Sequence, residues 1–361
     1  MTVTRASLSG RLRLAPSNPT KTFVLDVHTD DPEAYLADLA GPGSTVEATS
    51  DASLHGVHLS EGDFWVDLLD DRFWSFHTDM PSADAHRFLH SRVEARRDLD
   101  WMWLPTEHLR QASPERTARR VRTQFKGSQL LGPGAGTSRL DLQVNGAEAS
   151  KLLDYLAQNA EYRSAVSLEG VQVEVGDPDN GPLTEAVNRL GKFAASGESF
   201  ELHQQFVRTI VNRYASFVRD LERKAIGWDP LDSDQDGGGT LTGQPVVIAF
   251  SREVPDLDRF AHELFASRVP FRLWGVPATV ADEAGDRVEV DAVDLHVGQR
   301  LRMDIGRTWM RIYLERGSCG NTVARLASNL QHRFDGALRL VDPELQHGFL
   351  AQAAAMGTTA N

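Results

Sequence analysis

Five times along the chain an alternating apolar run meets a polar turn and then an amphipathic helical pattern. The segments are "FVLDVHTDDPEAYLADL" from Phe23, "FWSFHTDMPSADAHRFL" from Phe73, "LDLQVNGAEASKLLDYL" from Leu140, "VVIAFSREVPDLDRFAHEL" from Val246 and "WMRIYLERGSCGNTVARLASNLQHRF" from Trp309. A period of two followed by a period near 3.6 predicts a strand leading into a helix. The turn chemistry agrees. Thr29, Thr78 or a neighbouring small polar residue is placed to cap each helix, and Pro32 and Pro81 fall where a missing N–H costs nothing. Asp30, Asp31 and Glu33 suit the positive end of a helix dipole.

Laid end to end, these segments predict two similar units. The first has a strand at Phe23, a helix over Pro32–Leu39, strands at "STVEAT", "LHGVHLS", "FWVDLL" and "RFWSFH", and a helix over Ser82–Val93. The second has a strand at Val246, a helix, strands at "FRLWGVPATV", "DRVEVDAVDL" and "QRLRMDIGR", a strand at Trp309 and a helix from about Asn321. The expected fold is α+β, with two β-α-β(n)-β-α units, helices packed on antiparallel curved sheets, and a helical insertion between them. This order resembles helix-on-curved-sheet folds such as the halves of TATA-binding proteins and helix-grip domains, a resemblance of fold that carries no function. The expected divisions are an N-terminal unit over 1–110, a middle segment over 111–228, a linker over 229–244, a C-terminal unit over 245–345 and a flexible tail over 346–361.

The linker, "DPLDSDQDGGGTLTGQ", imitates a calcium loop. Asp232, Asp234, Asp236 and Gly237 fill the first, third, fifth and sixth positions of an EF-hand. The twelfth position is Gly243, which offers no carboxylate, and an apolar strand pattern follows in place of a helix. A flexible acidic, glycine-rich linker is the expectation.

The middle segment holds the strongest local departure in charge. Arg116, Arg119, Arg120, Arg122 and Lys126 lie in eleven residues without an acid. As a strand, Arg120 and Arg122 share one face and Val121, Thr123 and Phe125 the other. With Trp101 and Trp103 nearby for stacking, this basic strand is the candidate binding site for a phosphate-rich ligand, a single-stranded nucleic acid or an acidic protein surface. The bland reading is a solvated edge strand whose charge blocks aggregation, with the tryptophans in a core. "GPGAGTS" lacks the ending of a phosphate loop and reads as a hairpin turn. "GPLTEAVNRLGKFAASGESF" reads as a short helix on Leu183, Val187 and Leu190, broken at Gly191. Phe206, Val207, Ile210, Val211, Tyr214, Phe217, Val218 and Leu221 then form the widest apolar helical stripe in the chain, ended by Gly227, and must cover a sheet, another helix or a second molecule.

No catalytic pattern stands out. The two His-Thr-Asp triplets, at His28 and His77, are explained by capping. His86 and His90 share a helix face without a third ligand, and neither a metal nor a cofactor is expected. Asp70 and Asp71 read as part of a strand turn. Cys319, the only cysteine, sits in "RGSCGNT" before a helix, where a thiol can be activated, and His55 or His58 could serve it as a base. A Cys319-dependent hydrolase is the third reading. A net charge of −13 disfavours unspecific binding to nucleic acid or anionic lipid. The lone cysteine, the lack of a signal-peptide-like stretch at the N-terminus and the lack of any membrane-span-length apolar window lead to the expectation of a cytoplasmic protein. The expected function is non-enzymatic: an oligomeric adaptor, accessory or regulatory subunit that docks other proteins, as in a multi-protein stress or immune system. The alternative is a ligand or nucleic-acid binding module using strand 116–126.

Overall fold

In the computed structural model the strand β1 (Thr20–Val27) is buried along its whole length, because other strands flank it on both sides. The residues described are 4, 5, 7, 8, 19–68, 70–112, 118–131, 138–176, 183–197, 199–230, 239–266, 269–282 and 285–341. After β1 come α1 (Pro32–Ala40), β2 (Thr45–Ala48), β3 (Leu54–Leu59), β4 (Gly62–Asp67), β5 (Phe73–Thr78), α2 (Ser82–Ala95) and β6 (Leu99–Trp101). The middle of the chain contributes α3 (Thr106–Arg110), β7 (Ala118–Lys126), α4 (Ser128–Leu131), β8 (Arg139–Asn145), α5 (Ala149–Gln158), β9 (Leu168–Glu174), β10 (Leu183–Asn188), β11 (Lys192–Gly197) and α6 (Phe200–Arg223). A small hairpin, β12 (Gly227–Pro230) with β13 (Gly239–Thr242), leads to the last unit. That unit is β14 (Val246–Ala249), α7 (Leu257–Ala266), β15 (Leu273–Asp282), β16 (Gly285–Asp294), β17 (Arg300–Ile305), β18 (Trp309–Leu314), α8 (Asn321–Arg333) and β19 (Arg339–Val341).

The fold is α+β, and the two end units share one topology. The last sheet runs β15-β16-β17-β18-β14-β19, and the first repeats it as β2-β3-β4-β5-β1 with β6 also on β1. In both, the first strand returns to the centre beside the last strand of the meander, all pairs being antiparallel. The difference lies in the middle segment, which is not a helical insertion alone. Its strands extend the first sheet as β11-β10-β9-β7-β8.

Two expectations for this segment are corrected. Residues 183–197 form the hairpin β10–β11 and not a helix. Leu183, Glu185 and Val187 are buried in alternation, a period of two that the spacing of Leu183 and Val187 also satisfies. Gly191 closes the turn at a φ of 65°, with a Cβ there falling 2.8 Å from Met102. The basic strand β7 is interior, paired with β8 and β9, and not an edge. The long helix α6 behaves as its stripe predicts, with Ser199 as N-cap, but it stops at Arg223 and Gly227 opens β12. Its apolar face packs wholly inside the chain. The acidic run 231–238 and "GPGAGT" (132–137) lie outside the described residues, as do Arg116 and the tail beyond 341. The flanks of the acidic run pair as a hairpin.

The unusual element is α8. Every residue from Asn321 to His332 is buried, polar ones included. Its polar face does not meet water but the rest of the chain. Asn321 Nδ2 donates to Trp101 O at 3.1 Å, and Gln331 Oε1 accepts from Thr106 N at 2.9 Å. The His332 ring meets the Ser167 hydroxyl at 2.9 Å. The fully buried Arg325 bonds Asp100 of β6 on one side and Asp294 of β16 on the other, the latter at 2.5 Å, and its Nε donates to Phe271 O at 2.8 Å. Burial alone would raise both carboxyls, but the Arg325 charge holds them below their ordinary value. Removing the cation would leave the buried Asp294 without an arginine and the buried Asp100 with Arg272 alone, 3.4 Å away. Arg325→Met is therefore expected to cost about 3–5 kcal/mol in urea unfolding. Arg119→Ala, which cuts the half-exposed Arg119–Glu174 pair, should cost under about 1 kcal/mol. Equal losses would contradict this account of the seam.

Candidate metal centre

Asp26 and His28 stand two apart at the end of β1, so the strand period places them on one face. Asp26 is fully buried. Arg72, just before β5, clamps it with two hydrogen bonds, Nε to Oδ1 at 2.5 Å and Nη2 to Oδ2 at 2.9 Å. Arg72 is itself aimed by its neighbours. Asp70 Oδ1 accepts from the backbone N–H groups of Arg72 and Phe73, and Arg72 O accepts from Val27 N. Its other amino group reaches Glu222 in the last turn of α6 at 2.5 Å, and that carboxylate accepts Gly320 N at 2.9 Å. Burial would raise Asp26, but the charge and hydrogen bonds of Arg72 outweigh it and hold the carboxyl well below its usual range.

Two groups from the distant C-terminal unit complete the cluster. His296, fully buried, sits in the turn after β16, its backbone N–H bound by Asp294 at 3.0 Å. Cys319 precedes α8. Its Sγ lies 3.5 Å from Asp26 Oδ2 and accepts Arg72 Nη2 at 2.8 Å. His28 Nε2 is 3.2 Å from Asp26 Oδ1, and His296 Nε2 is 3.5 Å from Oδ2. Neither contact has the direction of a hydrogen bond. His28 Nε2 and both ring nitrogens of His296 are buried without a hydrogen-bond partner. The donor atoms of Asp26, His28, His296 and Cys319 all lie within 4.8 Å of one another.

These spacings have a chemical meaning. Four ligands at about 2.0–2.3 Å from a tetrahedral ion stand roughly 3.3–3.7 Å apart, the range that the three distances to Asp26 span or approach. Two nitrogens, an oxygen and a sulfur suit zinc among the divalent ions, and buried imidazole nitrogens without partners are what a ligand set leaves when drawn alone. The cluster opens onto a cavity of about 500 Å³ lined by His28, Arg72, Glu222, Thr242, Arg316 and Cys319. His28 has a side chain one-third exposed.

The expectation for both His-Thr-Asp triplets was helix capping. His28 answers to Asp26 rather than to Asp30, and helix α1 is capped by Asp31, whose Oδ1 accepts Ala34 N at 3.1 Å. His77 meets the buried Thr22 hydroxyl at 2.7 Å. His86 and His90 stack with Trp101. The imidazoles beside Cys319 are His28 and His296, not His55, which is buried in β3, nor His58, which pairs with Asp63. One signal was available: Asp-x-His occurs as Asp26-Val27-His28, Asp84-Ala85-His86 and Asp294-Leu295-His296, and the first and last supply the two histidines of the cluster.

Trp101 and Trp103 are buried, with 4% and 6% exposure, and present no face for stacking. On β7 the outward Arg119, Arg120, Arg122 and Lys126 are exposed, with Arg119 on Glu174, Arg120 on Asn145 and Arg122 3.9 Å from Asp141. The structure does not bring the tryptophans and the basic strand into one surface.

An α+β protein with two like-built end units and a mixed nitrogen, oxygen and sulfur centre at their seam is thereby defined. The chain belongs to the MJECL33-like protein family, whose model matches residues 6–347. It is 24% identical over 315 residues to the uncharacterized protein MJECL33 of Methanocaldococcus jannaschii, covering 76% of this chain and 75% of the relative. No solved structure matches. No helix among the described residues is long and apolar enough to cross a membrane.

Burial drives the Cys319 thiol well above its ordinary value, with the Asp26 charge adding and Arg72 opposing. A protonated, 3%-exposed thiol is a poor nucleophile. In metal-free protein at neutral pH, iodoacetamide should label Cys319 far more slowly than it labels glutathione, and at an ordinary rate after denaturation. Rapid labelling of the folded chain would support the nucleophile reading.

Proposed function

We propose that this chain is a metalloprotein that holds a zinc-type ion between its two end units and works on a small molecule in the cavity beside it. The observation that carries this is the set of buried, unpartnered imidazole nitrogens of His28 and His296 converging with Asp26 and Cys319. Such an ion, when bound, would supply Lewis acidity to a molecule in the cavity by taking it as a fifth ligand or by releasing His28 to it. The chain's own groups do the rest. Arg72 fixes the Asp26 carboxylate and shares the Cys319 sulfur, the place of an outer-shell partner. His28, the most exposed of the four, faces the cavity and marks its chemical end.

Cobalt titration tests this. The purified chain should bind one ion and develop a near-ultraviolet thiolate-to-cobalt charge-transfer band, lost in Cys319→Ser. His296→Ala should abolish tight zinc binding, and Arg72→Met should weaken it by about 10–100-fold. Absence of a saturable cobalt signal in the wild type would contradict the proposal.

The accessory-subunit reading keeps one specific support. Trp274 and Val276, 57% and 65% exposed, alternate on β15, the outer strand of the second sheet. An exposed apolar stripe on a long edge strand invites a partner. The stripe of α6 is used internally and is not free to dock a partner. A stoichiometric partner co-purified from the native host should be lost in Trp274→Ser/Val276→Lys. Retention by the variant would remove β15 as the docking edge.

A further inference from the structure

A second cavity, of about 210 Å³, lies between the first sheet and α6. Phe73 and His77 of β5 line it from the sheet, and Val207, Arg208 and Val211 line it from the helix. His77 takes no part in the metal centre, and it ends a line of buried hydrogen bonds. Its Nδ1 lies 2.7 Å from the hydroxyl of Thr22, the residue opposite it in the β1–β5 ladder. The same hydroxyl lies 2.7 Å from His203 Nε2 of α6, and His203 Nδ1 lies 2.7 Å from Glu185 Oε1 of β10. None of the four side chains is more than 2% exposed.

A threonine hydroxyl has one hydrogen to give, so it donates to one imidazole and accepts from the other. With Glu185 ionised and both rings neutral, the directions are fixed. His203 gives its Nδ1–H to Glu185, Thr22 donates to His203 Nε2, and His77 gives its Nδ1–H to Thr22. His77 Nε2 is then a lone-pair acceptor. It has no hydrogen-bond partner among the described residues, yet it is not sealed off: it keeps accessible surface, and His77 is part of the cavity wall. Burial, and after it the neighbouring cationic groups, Arg208 among them, push His77 well below its ordinary value and keep the ring neutral.

The acids on the wall are already answered. Asp67 takes two hydrogen bonds from Arg5, each at 2.9 Å. Asp70 accepts the backbone N–H groups of Arg72 and Phe73 and pairs with Arg219 at 3.3 Å. Arg208 has neither an acid nor a hydrogen-bond partner among the described residues. The wall therefore offers one acceptor, one unanswered cation and an apolar patch. We infer that this cavity takes a small hydroxy acid with an apolar body, its carboxylate on Arg208, its hydroxyl donating to His77 Nε2 and its body on Phe73, Val207 and Val211. The volume is that of roughly seven waters of liquid, room for about ten non-hydrogen atoms.

Mandelate is the probe, with phenylacetate as the same acid lacking the hydroxyl, each titrated calorimetrically into the full chain. Mandelate should bind saturably at one site, about 3–10-fold more tightly than phenylacetate, the worth of one hydrogen bond. His77→Phe should erase that preference while phenylacetate still binds. Thr22→Val, which removes the group that orients His77, should reduce the preference, and Thr22→Ser should keep it. Arg208→Met, at an exposed position, should weaken both acids alike by about 10-fold, the worth of a charge-assisted hydrogen bond. Circular dichroism of the wild-type level identifies each variant as folded. Absence of saturable mandelate binding, equal binding of the two acids by the wild type, or a hydroxyl preference that survives His77→Phe would overturn the inference.

Discussion

The buried arginine pairs at the seam are the interactions on which the remaining structure depends. Arg325 stands between Asp100 of the first unit and Asp294 of the last, and Arg72 stands between Asp26 and Glu222. Each guanidinium gathers acids from segments far apart in the chain. A carboxylate taken out of water loses most of its hydration, so the buried Asp26, Asp100 and Asp294 depend on arginine for a counter-charge, while Glu222 keeps a quarter of its side chain in solvent. The units are thereby fixed in register by charge, not by apolar contact alone. Helix α8 makes this possible, since it is buried all round and spends its polar face on the other parts of the chain.

The proposed metal centre is a consequence of that register. Asp26 and His28 come from β1, His296 from the turn after β16 and Cys319 from the entry to α8. Asp294, which holds Arg325, also bonds the backbone N–H of His296. Gly320, next to Cys319, donates to the Glu222 carboxylate that Arg72 holds. The residues that lock the units together are thus the residues that aim the donors. A site divided between two units also explains a practical point: an ion bound there would add its affinity to the stability of the whole chain.

Much of the fold was legible because it is local. The strand-turn-helix periodicity located β1, β5, β14 and β18 and the helices that follow β1, β5, β14 and β18, and it indicated two like units. The hairpin β10–β11 was misread because Leu183 and Val187, four apart, fit both periods, and only the sheet decides between them. The centre was hidden for a different reason. Sequence proximity offered Asp30 to His28 and a helix cap to explain both, while the true partners are a strand neighbour two residues back and groups some 270–290 residues away. The polar face of α8 carried the same ambiguity. Asn321, Arg325 and Gln331 look like a solvated surface until the other unit is laid on them.

X-ray absorption at the zinc edge of the zinc-loaded chain tests the central claim most directly. The arrangement predicts a four-coordinate shell with one sulfur at about 2.3 Å and nitrogen and oxygen neighbours at about 2.0–2.2 Å, with the multiple-scattering pattern of two imidazoles. A shell of oxygen and nitrogen alone, without the Cys319 sulfur, would place the ion elsewhere and contradict the account.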